Sequence, residues 1–167
     1  MLKYVLLAIF AGLAWFVFVD GSKLDEDDVR AYYAAGRDAT LALDADAVCG
    51  MLAKDLSGRA TSYIGPREQI RLVSRDQACR ETEALFRQMK PLMELLGNDI
   101  PFGYTYEINK ITLSEDRKTA KVEVRSVLDI VGMRFVSRSV DTLVRDRRVV
   151  LTRHTEGRVW VSESPGM

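Results

Sequence analysis

The hydrophobic pattern of this chain changes period near residue 102, and that change limits the folds open to it. Upstream, the residues of the apolar stripes recur at helical spacing: Val29, Tyr33, Gly36, Thr40 and Leu43, then Ala78, Thr82, Leu85, Phe86, Met89, Leu92, Met93 and Leu96. Downstream they alternate: Tyr104, Tyr106 and Ile108, then Ala120, Val122, Val124, Leu128 and Ile130. Each stripe must be buried against another element. Helices followed by a meander predict an α+β domain, with three N-terminal helices packed on a strongly curved antiparallel sheet of four to six strands.

Local signals place the elements. The first helix is expected from about Asp25, because Asp25, Glu26, Asp27 and Asp28 suit the positive end of its dipole. The acidic residues Asp44 to Asp46 interrupt it and cap a short helix, Ala45 to Ala53. The segment from Asp55 to Pro66 reads as turns around one short strand, Ala60 to Ile64. Ser74 followed by Gln77 forms a capping box that opens the longest helix. Pro91 removes a hydrogen bond inside that helix and predicts a kink, and Gly97-Asn98 ends it.

In the sheet, Ile111 and Leu113 fall on the wrong parity, so a bulge is expected near Asn109–Lys110. Turns are expected at Ser114–Lys118 and Gly132-Met133. A strand runs from Arg134 to about Arg145; Asp146-Arg147 either turns it back or lets it continue, bent, toward Thr155. The last strand is Arg158 to Glu163.

Ahead of the domain lie sixteen unbroken apolar residues, Tyr4 to Val19, followed by acidic residues. At about 1.5 Å per residue such a helix is short for a bilayer and long for a signal peptide. Residues 1–21 therefore read as a signal anchor or a cleaved signal. Ser22 to Leu24 read as a polar neck. Residues 22–163 form one domain, and 164–167 a frayed tail. Lys3 before the apolar run and acid after it predict export of the domain. The expected location is a single pass through the inner membrane at residues 4–19 with a periplasmic domain, or a soluble periplasmic protein after cleavage.

Lys3 is the only charge in residues 1–19, so residues 20–167 carry 23 basic and 24 acidic residues. That balance disfavours nucleic acid as a partner. Arg147, Arg148, Arg153 and Arg158 cluster near the end, and read as solvated outer strand positions with Asp146 and Glu156 interleaved. Cys49 and Cys79 both fall on apolar helix faces. In an oxidising space they can form a disulfide closing a loop of about 30 residues; otherwise they are buried thiols acting as small hydrophobes.

No nucleotide-binding, zinc-protease or nucleophile-elbow motif occurs, and no Cys-x-x-Cys. No metal or cofactor is expected. His154 is the only histidine and reads as a strand residue before a general base. Asp129 and Asp141 lie on strands; a carboxylate facing the concave side of the sheet would be desolvated and suited to proton transfer. The pairs Tyr32-Tyr33 and Tyr104/Tyr106 either line a cavity or fill the gap between helix and sheet.

The element order resembles the NTF2-like (SnoaL-like) superfamily over roughly residues 25–163. Supporting it are Ala42-Leu43-Asp44-Ala45-Asp46-Ala47-Val48, the strand Val140-Asp141-Thr142-Leu143-Val144 and the ending Gly157-Arg158-Val159-Trp160-Val161. The resemblance implies a cone holding a small apolar ligand; some members use an aspartate with a tyrosine to isomerise or hydrolyse it. Tyr33, Asp129, Asp141 and His154 are the pocket candidates. The expected role is a non-catalytic, membrane-tethered domain that binds a partner protein or a small apolar ligand. The alternative is an isomerase or hydrolase of a small apolar substrate. Either is compatible with a homodimer formed through the sheet.

Overall fold

The computed structural model describes residues 23–96, 102–130 and 132–163. Helix α1 (Glu26–Leu41) begins with a reciprocal acid pair. The Asp28 amide donates to Asp25 Oδ1 at 2.8 Å, and the Asp25 amide donates to Asp28 Oδ2 at 3.1 Å. Two amides that the helix leaves without partners are thereby satisfied. Arg145 grips the same Asp28 carboxylate with both terminal nitrogens, at 2.9 and 2.6 Å. Leu24 is not part of a polar neck: it is fully buried. Its amide donates to the Arg117 carbonyl at 2.6 Å, and Arg117 Nε donates back to the Leu24 carbonyl at 3.0 Å. A single leucine among polar neighbours carries no periodic signal, yet it plugs one end of the core.

Helix α2 (Ala45–Gly50) is capped by Asp44, whose Oδ1 accepts from the Ala47 amide at 2.9 Å. It is shorter than expected because residues from Leu52 onward join the sheet. Strand β1 (Leu52–Ile64) and strand β2 (Arg67–Ser74) form a hairpin through Gly65, whose φ is +57°. This replaces the one short strand expected at Ala60–Ile64. Both strands are rich in polar residues, and β2 is exposed along most of its length, so neither shows apolar alternation. The longest helix, α3 (Arg75–Leu96), follows this hairpin, so the three helices are not all N-terminal. Ser74 Oγ accepts from the Gln77 amide at 3.4 Å, but the Gln77 side chain turns to Glu81 at 3.0 Å. Only half of the expected capping box is made. The helix continues through Pro91 to Leu96.

Four further strands complete one six-stranded sheet: β3 (Phe102–Leu113), β4 (Thr119–Ile130), β5 (Met133–Asp146) and β6 (Val149–Glu163). The strand order is β2-β1-β6-β5-β4-β3. All neighbours are antiparallel except β1 and β6, which are parallel, so the sheet is mixed and not purely antiparallel. The register shifts between Ile108 and Lys110, which keeps Ile111 and Leu113 on the core side. The chain turns back after Asp146 through Arg147, whose φ is +58°. Strand β6 then runs unbroken through Glu156 and Gly157, because it is paired on both edges.

The helices lie on one face of the sheet. Leu24, Val29 and Tyr33 pack on Ala120, Val122, Val124 and Leu143. Phe86 and Met89 of α3 pack with Leu43 at the other end. The apolar leader at residues 1–21 and the tail at 164–167 lie outside the described residues. Among the described residues, no helix is long and apolar enough to cross a membrane. The placement as a single-pass inner-membrane protein is corrected accordingly: α3, the longest of these helices, carries charges throughout, from Asp76 to Glu94.

Cys49 of α2 and Cys79 of α3 are joined by a disulfide, with their Cα atoms 5.4 Å apart and a sequence separation of 30. Arg75 adds to this junction by donating to the carbonyls of Leu52 and Cys49, at 3.2 and 3.5 Å. Replacing both cysteines by alanine is expected to lower the unfolding free energy by about 3–4 kcal/mol in urea titrations, on the chain-entropy account. A second test concerns Gly58, where an added Cβ would overlap the Thr155 carbonyl oxygen on the parallel strand. Gly58→Ala should cost about 1–3 kcal/mol through overpacking. Gly50→Ala, which meets open space, should be neutral or stabilise by a few tenths.

Candidate functional site

Asp141 sits at the centre of the helix-facing side of the sheet. The register places it opposite Val122 on β4 and opposite Thr155 on β6. The Tyr33 hydroxyl, reaching down from α1, donates to Asp141 Oδ2 at 2.7 Å. The Thr155 hydroxyl donates to Asp141 Oδ1 at 2.7 Å. Each carboxylate oxygen therefore has a hydroxyl donor, which is what a half-buried charge requires. One residue away, the Tyr32 and Thr152 hydroxyls share a 2.6 Å hydrogen bond. Tyr32 and Tyr33 meet edge to face with centroids 5.3 Å apart, and Tyr106 lies 5.8 Å from Tyr33.

These tyrosines fill the space between α1 and the sheet. Burial pushes the Tyr33 phenol far above its ordinary value, and the Asp141 charge and hydrogen bond push it further the same way. Burial raises Tyr32 to about 12, against the opposing hydrogen bond to Thr152. Burial also raises Tyr104. All three phenols are therefore held neutral, as donors and fillers, with no tendency toward phenolate.

The nearby cavity does not reach this network. It holds about 270 Å³ and lies under the first turns of α3, walled by Ala78, Ala60, Val73, Phe135, Val159 and Val161. Ser62, nearly buried, contributes a hydroxyl. Its one carboxylate is Glu81, at the rim, exposed and paired with Arg71 at 3.3 Å. Asp141 is absent from its walls. The shape, closed on one side by α3 and mostly aliphatic, suits a small apolar molecule.

The remaining sequence candidates lie elsewhere. Asp129 is on the opposite face of the sheet, where its Oδ1 is 3.7 Å from Arg134 Nε, an ionic contact too long for a hydrogen bond. His154 is also on that face. Its Nδ1 is 3.2 Å from Ser57 Oγ, and its Nε2 is 3.5 Å from Glu156 Oε1. The three groups line up as a serine, a histidine and an acid, but Ser57 is in mid-strand with partners on both sides. Of the four candidates, only Tyr33 and Asp141 are brought together. Sequence reading missed Thr155 and Thr152. Nothing in the sequence reveals them until the register shift between Thr142 and Leu143 is known. Among the described residues, no group of three or more His, Cys, Asp or Glu could hold a metal.

No family model matches the chain, and no curated protein matches it in sequence. Solved structures do match in fold. An NTF-2 like protein of unknown function from Shewanella oneidensis aligns with a TM-score of 0.55 at 16% identity, over 79% of this chain and 97% of that one. A second from Silicibacter pomeroyi aligns at 0.53 and 14% identity, over 80% and 93%. A ketosteroid isomerase-like protein from Erwinia carotovora atroseptica aligns at 0.51 and 13% identity, over 81% and 98%. The chain thus has the NTF2-like fold, and at these identities the likeness extends to fold alone.

The tyrosine layer has a pH signature. A phenol whose folded pKa lies above its unfolded value adds stability that is complete below pH 10 and is lost as the pH rises toward 12. For Tyr32 the loss amounts to about 3 kcal/mol, at 1.36 kcal/mol per unit; Tyr33 acts with the same sign. Spectroscopic titration of phenolate should show these tyrosines ionising only in a cooperative step with unfolding, and Tyr32→Phe should flatten the fall. Ordinary titration near pH 10 with the fold intact would show that water reaches the network.

Proposed function

We propose that this domain binds a small apolar molecule in the cavity beneath α3 and does not transform it. The observation that carries this reading is the separation of cavity from carboxylate. The cavity walls are mostly aliphatic, and its rim acid is exposed and ion-paired. The buried acid, Asp141, lies outside the cavity with both oxygens already accepting hydrogen bonds. A general base must lie within reach of the proton it removes, and the one carboxylate lining this cavity, Glu81, is exposed and held by Arg71. The isomerase or hydrolase reading would need Asp141 to open onto the ligand, and Asp141 does not line the cavity. One neighbour in fold is named for its likeness to a ketosteroid isomerase; a shared fold does not carry an activity, which has to be argued from the site. The Cys49–Cys79 bridge supports a working place that is oxidising, where such a bond persists.

The test uses the neutral dye N-phenyl-1-naphthylamine, whose emission rises in apolar surroundings. The folded protein should take it up saturably. Ala78→Trp and Val161→Phe, which fill the cavity from opposite walls, should each weaken uptake by about tenfold or more, in keeping with the loss of about 1.4 kcal/mol or more of apolar contact. Unchanged uptake in both variants, with unfolding midpoints preserved, would place the dye elsewhere and remove the proposal.

A further inference from the structure

A row of three arginines crosses the sheet on the face that bears no described helix. Arg125 of β4 stands directly opposite Arg138 of β5, and Arg138 stands directly opposite Arg158 of β6. Neighbouring strands are about 4.8 Å apart, so the three stems fall within about 10 Å. Like charges in directly opposed positions destabilise a sheet. Arg59, on β1 opposite Glu156, adds a fourth guanidinium. All four are exposed, and none makes an ion pair with a described residue. By contrast, Arg153 and Arg134 nearby each have an acidic partner.

The row borders an aromatic platform. Trp160 stacks on Tyr63 with centroids 5.7 Å apart and an interplanar angle of 15°. The Arg138 guanidinium sits over the Trp160 ring at 5.9 Å, and the tryptophan is 37% exposed. An open groove of about 800 Å³ runs over these residues. Its walls hold the four arginines against two acids, Glu123 and Glu156, a surplus of two positive charges. On β2, beside the groove, Ile70 and Leu72 are 61% and 72% exposed.

We propose that this face docks an acidic segment of a partner protein. Its carboxylates neutralise the arginine row, and an apolar side chain rests on Trp160. The occupant follows from the charge. A second copy of this chain would bring a second positive surplus against the first. Nucleic acid is disfavoured by the charge balance of the domain as a whole, 23 basic against 24 acidic residues over positions 20–167. Arginine with tryptophan and tyrosine is the composition of protein-binding hot spots. The surface is independent of the apolar cavity, which opens on the other side of the sheet.

The test has two readouts on the intact protein. The first is anisotropy of a labelled poly-glutamate peptide of about 20 residues, at about 20 mM and about 150 mM salt. Saturable binding is expected, weakened at least tenfold by Arg138→Glu and by Arg158→Glu. Arg138→Lys should retain part of it, and Arg87→Glu on α3 should retain all of it. The second readout needs no ligand. Relief of the like-charge row should raise the melting temperature of Arg138→Glu by about 1–4 °C at low salt, with the gain shrinking at high salt. Four results would each overturn the proposal: no saturable binding by the wild type; equal loss in Arg87→Glu; tighter binding of duplex DNA than of poly-glutamate; or a wild-type dimer that Arg138→Glu dissolves. A melting temperature lowered by Arg138→Glu would show that the row is already neutralised within the fold.

Discussion

The contact on which the architecture turns is the pair of hydroxyls that close on Asp141. One comes from α1 through Tyr33, and the other from β6 through Thr155. A carboxylate placed between helix and sheet costs several kcal/mol unless its oxygens are satisfied. With both satisfied, the same charge fixes how α1 lies. A helix rotated by one residue would withdraw the tyrosine and strand the acid. Arg145 on Asp28 performs a similar service at the start of the helix. Two ionic groups thus determine the seating of α1, while the aliphatic residues around them supply most of the apolar burial.

That arrangement divides the molecule into two chemistries. The helix side is neutral in practice: its acid is engaged, its phenols stay protonated, and its cavity is aliphatic. The other side keeps its charges in water, with arginines in register and an aromatic pair beside them. The division follows from the period of two along each strand. By register Ser139 shares the helix-facing side with Asp141, and Arg138 and Val140, on either side of Ser139, share the other. A slip of one residue in any strand would exchange the two sets.

The same alternation decided what could be read in advance. The meander from Tyr104 to Ile130 was legible, including its bulge, because one face of those strands is apolar and buried. So was α1, whose acidic first turn and stripe agree. The hairpin of β1 and β2 was not legible. β2 is polar because it is largely exposed, β1 mixes polar and buried residues without regular alternation, and Gly58 is required by the close approach of β6, which no local signal announces. Glu156-Gly157 reads as a break for the same reason: Gly157 lies tight against Ser139, a contact invisible before pairing is known. Of the site, Asp141 and Tyr33 could be named singly, but their union depends on the angle of α1 across the sheet. The arginine row was hidden further still, since its members lie on three strands and meet only through register.

One consequence of the strand order concerns birth and not the finished molecule. Strand β1 has two neighbours: β2, which follows it at once, and β6, the last strand of the sheet. As the polypeptide leaves the ribosome, the early hairpin must wait with one edge bare until nearly the whole chain has emerged. Pairings between such distant stretches are slow to form. In the interval the uncovered strand is a template for wrong associations. The sulfur link between α2 and α3 needs only the first eighty or so residues, so oxidation can pin the early half before its final neighbour arrives.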